Sequence, residues 1–370
     1  MRNKQGVIPV QKLRKLCAER VIHSIMPILE DQFQPASLDL RIGNKAYRIR
    51  SSFLPMKGRV EDKLKDLFMY EIDLEKNGIL EKENIYLIPL IEELNLPGDI
   101  QGRTNPKSTT GRLDIFTRVI TDYCYRFEDI VFGYTGKLYL EIVTRSFTIM
   151  LKPGLSLNQL RLFRARGILN NSELKSVYKK YLLLYNENNK PIRVEDVKMG
   201  DGLFMSINLK KSHNGIIGYK AKKNSAVIDL SRLDFYDALD YWEPLYPPKN
   251  DFLILEPEEF YIFSSKERVR VPPDYAAEMT EYDAGSGELR THYAGFFDSG
   301  FGYGALGEVK GTKAVLEVRP HDVPFRIEDG QVFFKIKYEK MLEQPVTYYG
   351  MNIGSSYYNQ DLSLSKQFKR

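Results

Sequence analysis

The sequence predicts a mainly β protein built from two related β-sandwich or barrel domains with a few peripheral helices. Three observations carry this expectation. From Gln34 onward the chain is written in short runs of Ile, Val, Tyr, Phe and Leu punctuated by Gly, Pro, Asn and Asp, which is how many short strands joined by turns read. With 370 residues, of which 43% are hydrophobic and 28% charged, it has room for two domains of ordinary size. It also repeats itself: Ile79, Leu80, Glu81 and Tyr86 return as Ile254, Leu255, Glu256 and Tyr261, and Pro97 and Asp99 as Pro272 and Asp274, all 175 positions on. Leu140, Glu141 and Gly154 return as Leu316, Glu317 and Gly330 at an offset of 176. A register kept over so long a stretch marks an internal duplication. An earlier pair, Asp39-Leu40 with Asp229-Leu230, requires a longer offset.

Taken in order, Ile8 to Ile22 carries Ile8, Val10, Leu13, Leu16, Cys17 and Val21 at helical spacing, with Pro9 suited to a first turn. The runs Tyr47 to Phe53, Ile85 to Ile91, Lys137 to Val143 and Phe147 to Leu151 are strands by alternation and composition. Ser172 is a candidate N-cap for a second helix through Leu174, Val177, Tyr178, Tyr181, Leu182 and Tyr185. Asn186 to Gly202 is a polar connection between domains. The division is therefore 1–170 for the first domain, 171–205 for helix and linker, and 206–370 for the second. The basic stretch Leu209 to Lys223 admits two readings, a docking surface or a solvated loop.

Composition narrows the function. The formal charge of +5 is small for this length and the basic residues are dispersed, so a sequence-independent grip on nucleic acid is not expected. Cys17 and Cys124 are the only cysteines; far apart and in apolar surroundings, they read as small core residues in a reducing compartment. Neither a signal-peptide pattern nor an apolar run of membrane-spanning length occurs, so the expectation is a cytoplasmic protein without a membrane partner.

Chemistry concentrates in Gly102 to Asp122, GRTNPKSTTGRLDIFTRVITD, where Lys107, Ser108, Thr109 and Arg112 fall within six residues. A polyphosphate calls for this mixture: directional hydroxyl donors, a guanidinium fork and a compact ammonium charge. The bland alternative is a polar, capped turn. A P-loop is rejected, because Pro106 stands where the second Gly must be. In LYLEIV, alternation sets Leu138, Leu140 and Ile142 on one strand face and Tyr139, Glu141 and Val143 on the other. A carboxylate there is either a partly desolvated proton acceptor or an ordinary exposed strand residue. Arg126 and Glu128 share a face if the chain is extended, as a surface ion pair or as a pair lining a pocket.

In this order, Lys107, Ser108, Thr109, Arg112, Leu113, Arg126, Glu128, Gly136 and Glu141 resemble the signature of the dCTP deaminases, a branch of the dUTPase-like superfamily. QPASLDLRIG at Gln34 to Gly43 resembles that family's N-terminal strand, and Tyr357, Gln360, Ser365 and Lys366 resemble its nucleotide-closing tail. The resemblance covers residues 1 to 165 and the tail, and the whole chain resembles the longer, duplicated form of the family. Three departures are visible: the family usually has Arg at Lys107, an acid one methylene shorter at Glu128, and three fewer residues between Glu128 and Gly136.

The resemblance implies two dUTPase-like (β-clip) domains and hydrolytic conversion of dCTP to dUTP and ammonia. Glu141 would be the general base that activates water for attack on C4 of cytosine, a kind of assistance worth on the order of a hundred to ten thousandfold. Lys107, Ser108, Thr109 and Arg112 would hold the triphosphate, with Mg²⁺ arriving on the nucleotide and not on protein side chains. Arg126 and Glu128 would belong to the base and sugar pocket, and Tyr357, Gln360 and Lys366 to a C-terminal lid. It further implies a homo-oligomer, a trimer first, with dTTP as a feedback inhibitor. At the repeat offset Ser108 falls on Asp283 and Arg112 on Gly287, so the second domain is expected to be a degenerate copy.

Two other functions and one other mechanism compete with this reading. Zinc-dependent deamination needs His-x-Glu or Cys-x-Glu with Pro-Cys-x-x-Cys; His23, His213, His292 and His321 are never followed by x-Glu and no Cys pair exists, so no zinc is expected. A dUTPase, or a bifunctional enzyme making dUMP, is suggested by Asp298, Gly300, Phe301 and Gly302, which resemble a superfamily aspartate turn. A catalytically silent nucleotide-binding regulator is the alternative from another class.

Overall fold

The computed structural model describes residues 5–210, 215–281, 289–291, 295–304, 306–350 and 361–369. Among them no helix is long and apolar enough to cross a membrane. The chain forms two compact units: residues 1–166 with 223–236 and 365–370, and residues 167–222 with 237–364.

The first unit begins with the helix Val10–Ala18, which starts two residues later and ends four residues earlier than its apolar spacing suggests. Arg20 takes a left-handed conformation (φ 58°) and Ile22–Ser24 then pairs as a strand with Glu92–Leu94. Two sheets follow. The larger runs Phe68–Asp73, Lys45–Ile49, Ile85–Asn95, Thr135–Thr144 and Ile115–Thr121, with Ile22–Ser24 added to Ile85–Asn95. The other runs Asp129–Ile130, Gln101–Pro106, Ser156–Phe163, Ser37–Arg41 and Phe33–Gln34. The strand Thr135–Thr144 is paired on both edges, with Ile85–Asn95 and Ile115–Thr121, and Leu138, Leu140, Ile142 and Glu141 are all buried.

The second unit repeats this pairing. Gly218–Ala221, Tyr261–Val269, Thr312–Pro320 and Leu289–Thr291 take the order of Lys45–Ile49, Ile85–Asn95, Thr135–Thr144 and Ile115–Thr121. Glu141 stands opposite Leu87 and Glu317 opposite Ile262, one register in two copies. Local details recur as well. The Tyr86 hydroxyl accepts from the Glu81 amide at 3.2 Å and that of Tyr261 from the Glu256 amide at 3.0 Å. Ile100 N–H donates to Pro97 O and Tyr275 N–H to Pro272 O, each at 3.0 Å. Gly154 and Gly330 both take positive φ, 83° and 81°.

Several boundaries differ from those the sequence suggests. The second helix is Asn171–Tyr181, capped by Asn170 and not Ser172: Asn170 Oδ1 accepts from Glu173 N–H at 3.0 Å while Glu173 Oε2 accepts from Asn170 N–H at 3.1 Å. Its apolar face, Leu174, Val177 and Tyr178, packs in the core of the second unit with Leu203, Phe263, Leu316 and Ile336, so 171–205 is part of a domain and not a linker. Asn186 to Gly202 likewise stays inside the second unit, and the chain passes between units at Arg166–Gly167. Within Leu209 to Lys223, Gly218–Ala221 is a sheet strand, and Lys220 lies 3.7 Å from Glu259. Residues 223–236 return to the first unit, where Ile228–Asp229 pairs in parallel with Ile149–Met150. Asp229-Leu230 is therefore no counterpart of Asp39-Leu40; the strand in that role is Leu203–Ser206, which pairs with Val332–Lys340 as Ser37–Arg41 pairs with Ser156–Phe163. Of the cysteines, Cys124 is buried and Cys17 only half-buried.

Candidate active site

The Lys107–Arg112 segment is pinned before it can bind anything. The Lys107 amide donates to Leu157 O at 3.0 Å, the Thr110 hydroxyl to the same oxygen at 2.8 Å, and Gly111 and Arg112 amides close a single helical turn, Ser108–Gly111, onto Lys107 O and Ser108 O. This leaves Ser108 exposed and Lys107 and Thr109 half-buried. The Lys107 ammonium is ion-paired with Asp39, which lies in the strand Ser37–Arg41. Arg112 is 2% exposed, so its side chain is buried within the first unit.

The end of the chain lies on the same turn. Ser365 Oγ donates to Thr109 O at 2.9 Å. The backbone of 365–369 is strapped to the internal segment 234–236, with Asp234 N–H donating to Lys366 O at 2.9 Å and Tyr236 N–H to Gln367 O at 3.0 Å. Phe368 is buried beside Tyr236, and the Gln367 side chain donates to Leu230 O at 3.0 Å. Lys366 is thereby desolvated, and this, with the neighbouring Lys107 charge, lowers its pKa from the ordinary lysine value. Tyr357 and Gln360 lie outside the described residues, as do Asp283, Gly287, His213 and His292.

Glu141 is 1% exposed, and its charge is met by Arg118, its direct cross-strand neighbour. Arg118 Nε donates to Glu141 Oε1 at 3.0 Å, Nη2 reaches the same oxygen, and Nη2 also donates to Ser52 Oγ at 2.8 Å. The guanidinium lies 3.7 Å from the Phe127 ring centroid and 4.7 Å from that of Phe116. Among the described residues, Glu141 Oε2 has no hydrogen-bond partner although the atom is buried. A buried carboxylate oxygen left without a donor is costly, and such an atom is suited to receive a proton or a water. The same sheet carries a small apolar cluster that includes Leu87, the other cross-strand neighbour of Glu141, with Ile120 and Tyr139, and Phe127 packs against it.

Arg126 and Glu128 are not brought together. Arg126 is largely exposed and pairs with Asp129 at 3.3 Å. Glu128 has φ 66°, which breaks the extended geometry that would have aligned them. Its half-buried carboxyl accepts from the Thr104 hydroxyl and, at 3.4 Å, from the Asn158 amide. Desolvation outweighs these hydrogen bonds and pushes its pKa up to about 7.

Sequence reasoning missed Arg118, Ser52, Phe127, Asp39, Thr104 and Asn158. One signal was present: in IFTRVIT, alternation places an arginine between Phe116 and Ile120 on one strand face, and a lone charge in an apolar strand implies a partner. In the second unit Glu317 is 5% exposed and Asp298 6%, and Gly300 and Gly302 have φ of 93° and 60°; the turn has the conformation its glycines suggest.

The first unit of this duplicated, mainly β scaffold thus carries both a buried strand carboxylate with one open oxygen and a hydroxyl-rich basic turn, on a fold of the dUTPase-like β class. The family of that class is identified by comparison. Residues 4–166 match the family model described as the 2'-deoxycytidine 5'-triphosphate deaminase N-terminal domain, and residues 170–368 the model for its C-terminal domain. The crystal structure of 2'-deoxycytidine 5'-triphosphate deaminase from Agrobacterium tumefaciens superposes with a TM-score of 0.87 at 47% identity, covering 95% of this chain and 100% of that one. "dCTP deaminase, dUMP-forming" from Nanoarchaeum equitans is 32% identical over 166 residues, 39% of this chain and 77% of the relative. The protein of the same name from Dictyoglomus turgidum is 26% identical over 179 residues, 47% of this chain and 89% of the relative. The chain belongs to the dCTP deaminase family of hydrolytic deaminases.

Proposed function

We propose that this protein deaminates dCTP to dUTP and ammonia without zinc, with Glu141 as the general base. The observation that carries this reading is the asymmetry of the Glu141 carboxylate: Oε1 is held by Arg118, while Oε2 is buried and unpartnered. A water placed against Oε2 would lose a proton to it as its oxygen attacks C4 of cytosine, and the same carboxyl would return the proton to the departing amine. Ser108, Thr109 and Lys107 would face the triphosphate, whose Mg²⁺ enters as part of the substrate. Arg112, buried in the same unit, would act by its charge. Lys366, desolvated beside Lys107, is the one residue of the expected lid within the described part of the chain, and would contribute a further cation. Glu128, with Thr104 and Asn158 around it, is our candidate for the base and sugar pocket; Arg126 would reach a nucleotide only from the exposed side.

A second reading is favoured by the relatives whose names include dUMP-forming: the same chain would also release pyrophosphate. Incubation with dCTP and Mg²⁺ in the presence of a zinc chelator, following ammonia and pyrophosphate together, separates the two. Ammonia alone supports the first reading and equal amounts of both products the second. If neither product forms, both readings are wrong.

A further inference from the structure

We propose that Arg118 is a positioning residue for the reaction: it fixes Glu141 by one oxygen so that the other is left open toward the substrate. This rests on the reading of Glu141 as the base. The geometry carries it. An arginine that pairs with a carboxylate for stability alone commonly does so fork to fork, one nitrogen to each oxygen. Here Nε and Nη2 both go to Oε1, and Oε2, although buried, receives no donor among the described residues. The guanidinium is itself held in place. Ser52 Oγ accepts from Nη2 at 2.8 Å, and the plane lies over Phe127 at 3.7 Å to the ring centroid.

Phe127 sits between Arg126 and Glu128 in sequence, so the turn proposed to meet the base also supports the guanidinium that orients the carboxylate. Backbone pairing sets the coarse position, because Arg118 and Glu141 are direct cross-strand neighbours. A one-sided grip selects which oxygen can accept a proton, and a small misplacement of a catalytic group costs on the order of a hundredfold in rate.

The test is steady-state kinetics of dCTP deamination with the full-length chain. Arg118→Ala should lower kcat about a hundredfold with KM changed by no more than about threefold, and added guanidinium at non-denaturing concentration should restore part of kcat. Arg118→Lys keeps the charge without the two-nitrogen grip and should recover only part of the rate. A merely structural role would give neither the split between kcat and KM nor the rescue. The inference is overturned if Arg118→Ala keeps kcat within about threefold of the native chain, if its loss lies in KM, or if guanidinium restores nothing. Should Arg118→Ala fail to fold, Arg118→Lys decides: native kcat overturns the inference, and reduced kcat at unchanged KM supports it. Glu141→Gln serves as the separate control. If it still releases ammonia at the native rate, the reading of Glu141 as base is wrong, whatever Arg118 does.

Discussion

At the scale of single residues, burial decides more than composition. Glu141 and Glu128 are both glutamates of the first unit, yet one is met by the Arg118 guanidinium and the other by the Thr104 hydroxyl and the Asn158 amide. The consequence for Glu128 has a definite sign. Its carboxyl is held near 7 in the fold against an ordinary value of 4.5, so the folded state is penalised for ionising it. The contribution is fully present below the ordinary value and is lost as pH rises through about 7. Glu128→Gln should therefore flatten the stability profile between pH 5 and 8, gaining roughly 1–3 kcal/mol relative to the native chain at the alkaline end. Chemical denaturation of both chains across that range measures it, and parallel profiles would contradict the assignment. Glu141 was readable in the sequence as a strand carboxylate, and Lys107, Ser108 and Thr109 as a basic, hydroxyl-rich turn. Arg118 and Ser52 were not singled out, because their role depends on strands that meet only in the sheet. That Arg112 is buried was not legible either, because its neighbours in sequence are polar and its burial comes from the fold around it.

At the scale of elements, local signals were reliable where one segment forms its own contacts. The helix Asn171–Tyr181 declares itself by spacing and by a reciprocal cap, although the capping residue lies two positions earlier than Ser172. The strands Ile85–Asn95 and Thr135–Thr144 also form where composition predicts them, although Thr135–Thr144 is buried on both faces instead of alternating. What could not be seen was the crossing of 223–236 back into the first unit. Ile228–Asp229 is a two-residue strand joined to Ile149–Met150 far away in sequence, too short to have a period and held only by its partner. The C-terminal strap depends on the same segment, with Phe368 2% exposed against it. Phe368→Ala should cost about 3 kcal/mol and release Ser365 from Thr109, raising KM for the nucleotide more than it lowers kcat. Thermal unfolding and kinetics on one preparation check both parts. A destabilised chain with unchanged KM would show that the strap is structural only.

At the scale of the whole molecule, the duplication was legible as an offset, and the structure gives it a physical content. The tyrosine hydroxyls that accept from Glu81 and Glu256, the Pro97 and Pro272 turns and the shared cross-strand register of Glu141 and Glu317 are the same interactions made twice. The repeat preserved what holds a strand in place. The first unit also carries the groups of the proposed site: a pinned Ser108–Gly111 turn, the Lys107–Asp39 pair, the strap at Ser365 and the open oxygen of Glu141. The domain limits read from the sequence, by contrast, missed that each unit is assembled from separate stretches of chain, which a repeat offset cannot reveal.

The measurement that bears most directly on this account is ammonia release from dCTP by the native chain and by Glu141→Gln, alongside nucleotide binding by both. The substitution keeps the size of the side chain and removes its ability to accept a proton. The account predicts that the variant still binds dCTP, with affinity within about tenfold of native, while its turnover falls at least a thousandfold, within the range that acid–base assistance supplies. Turnover by the variant close to the native rate would contradict it.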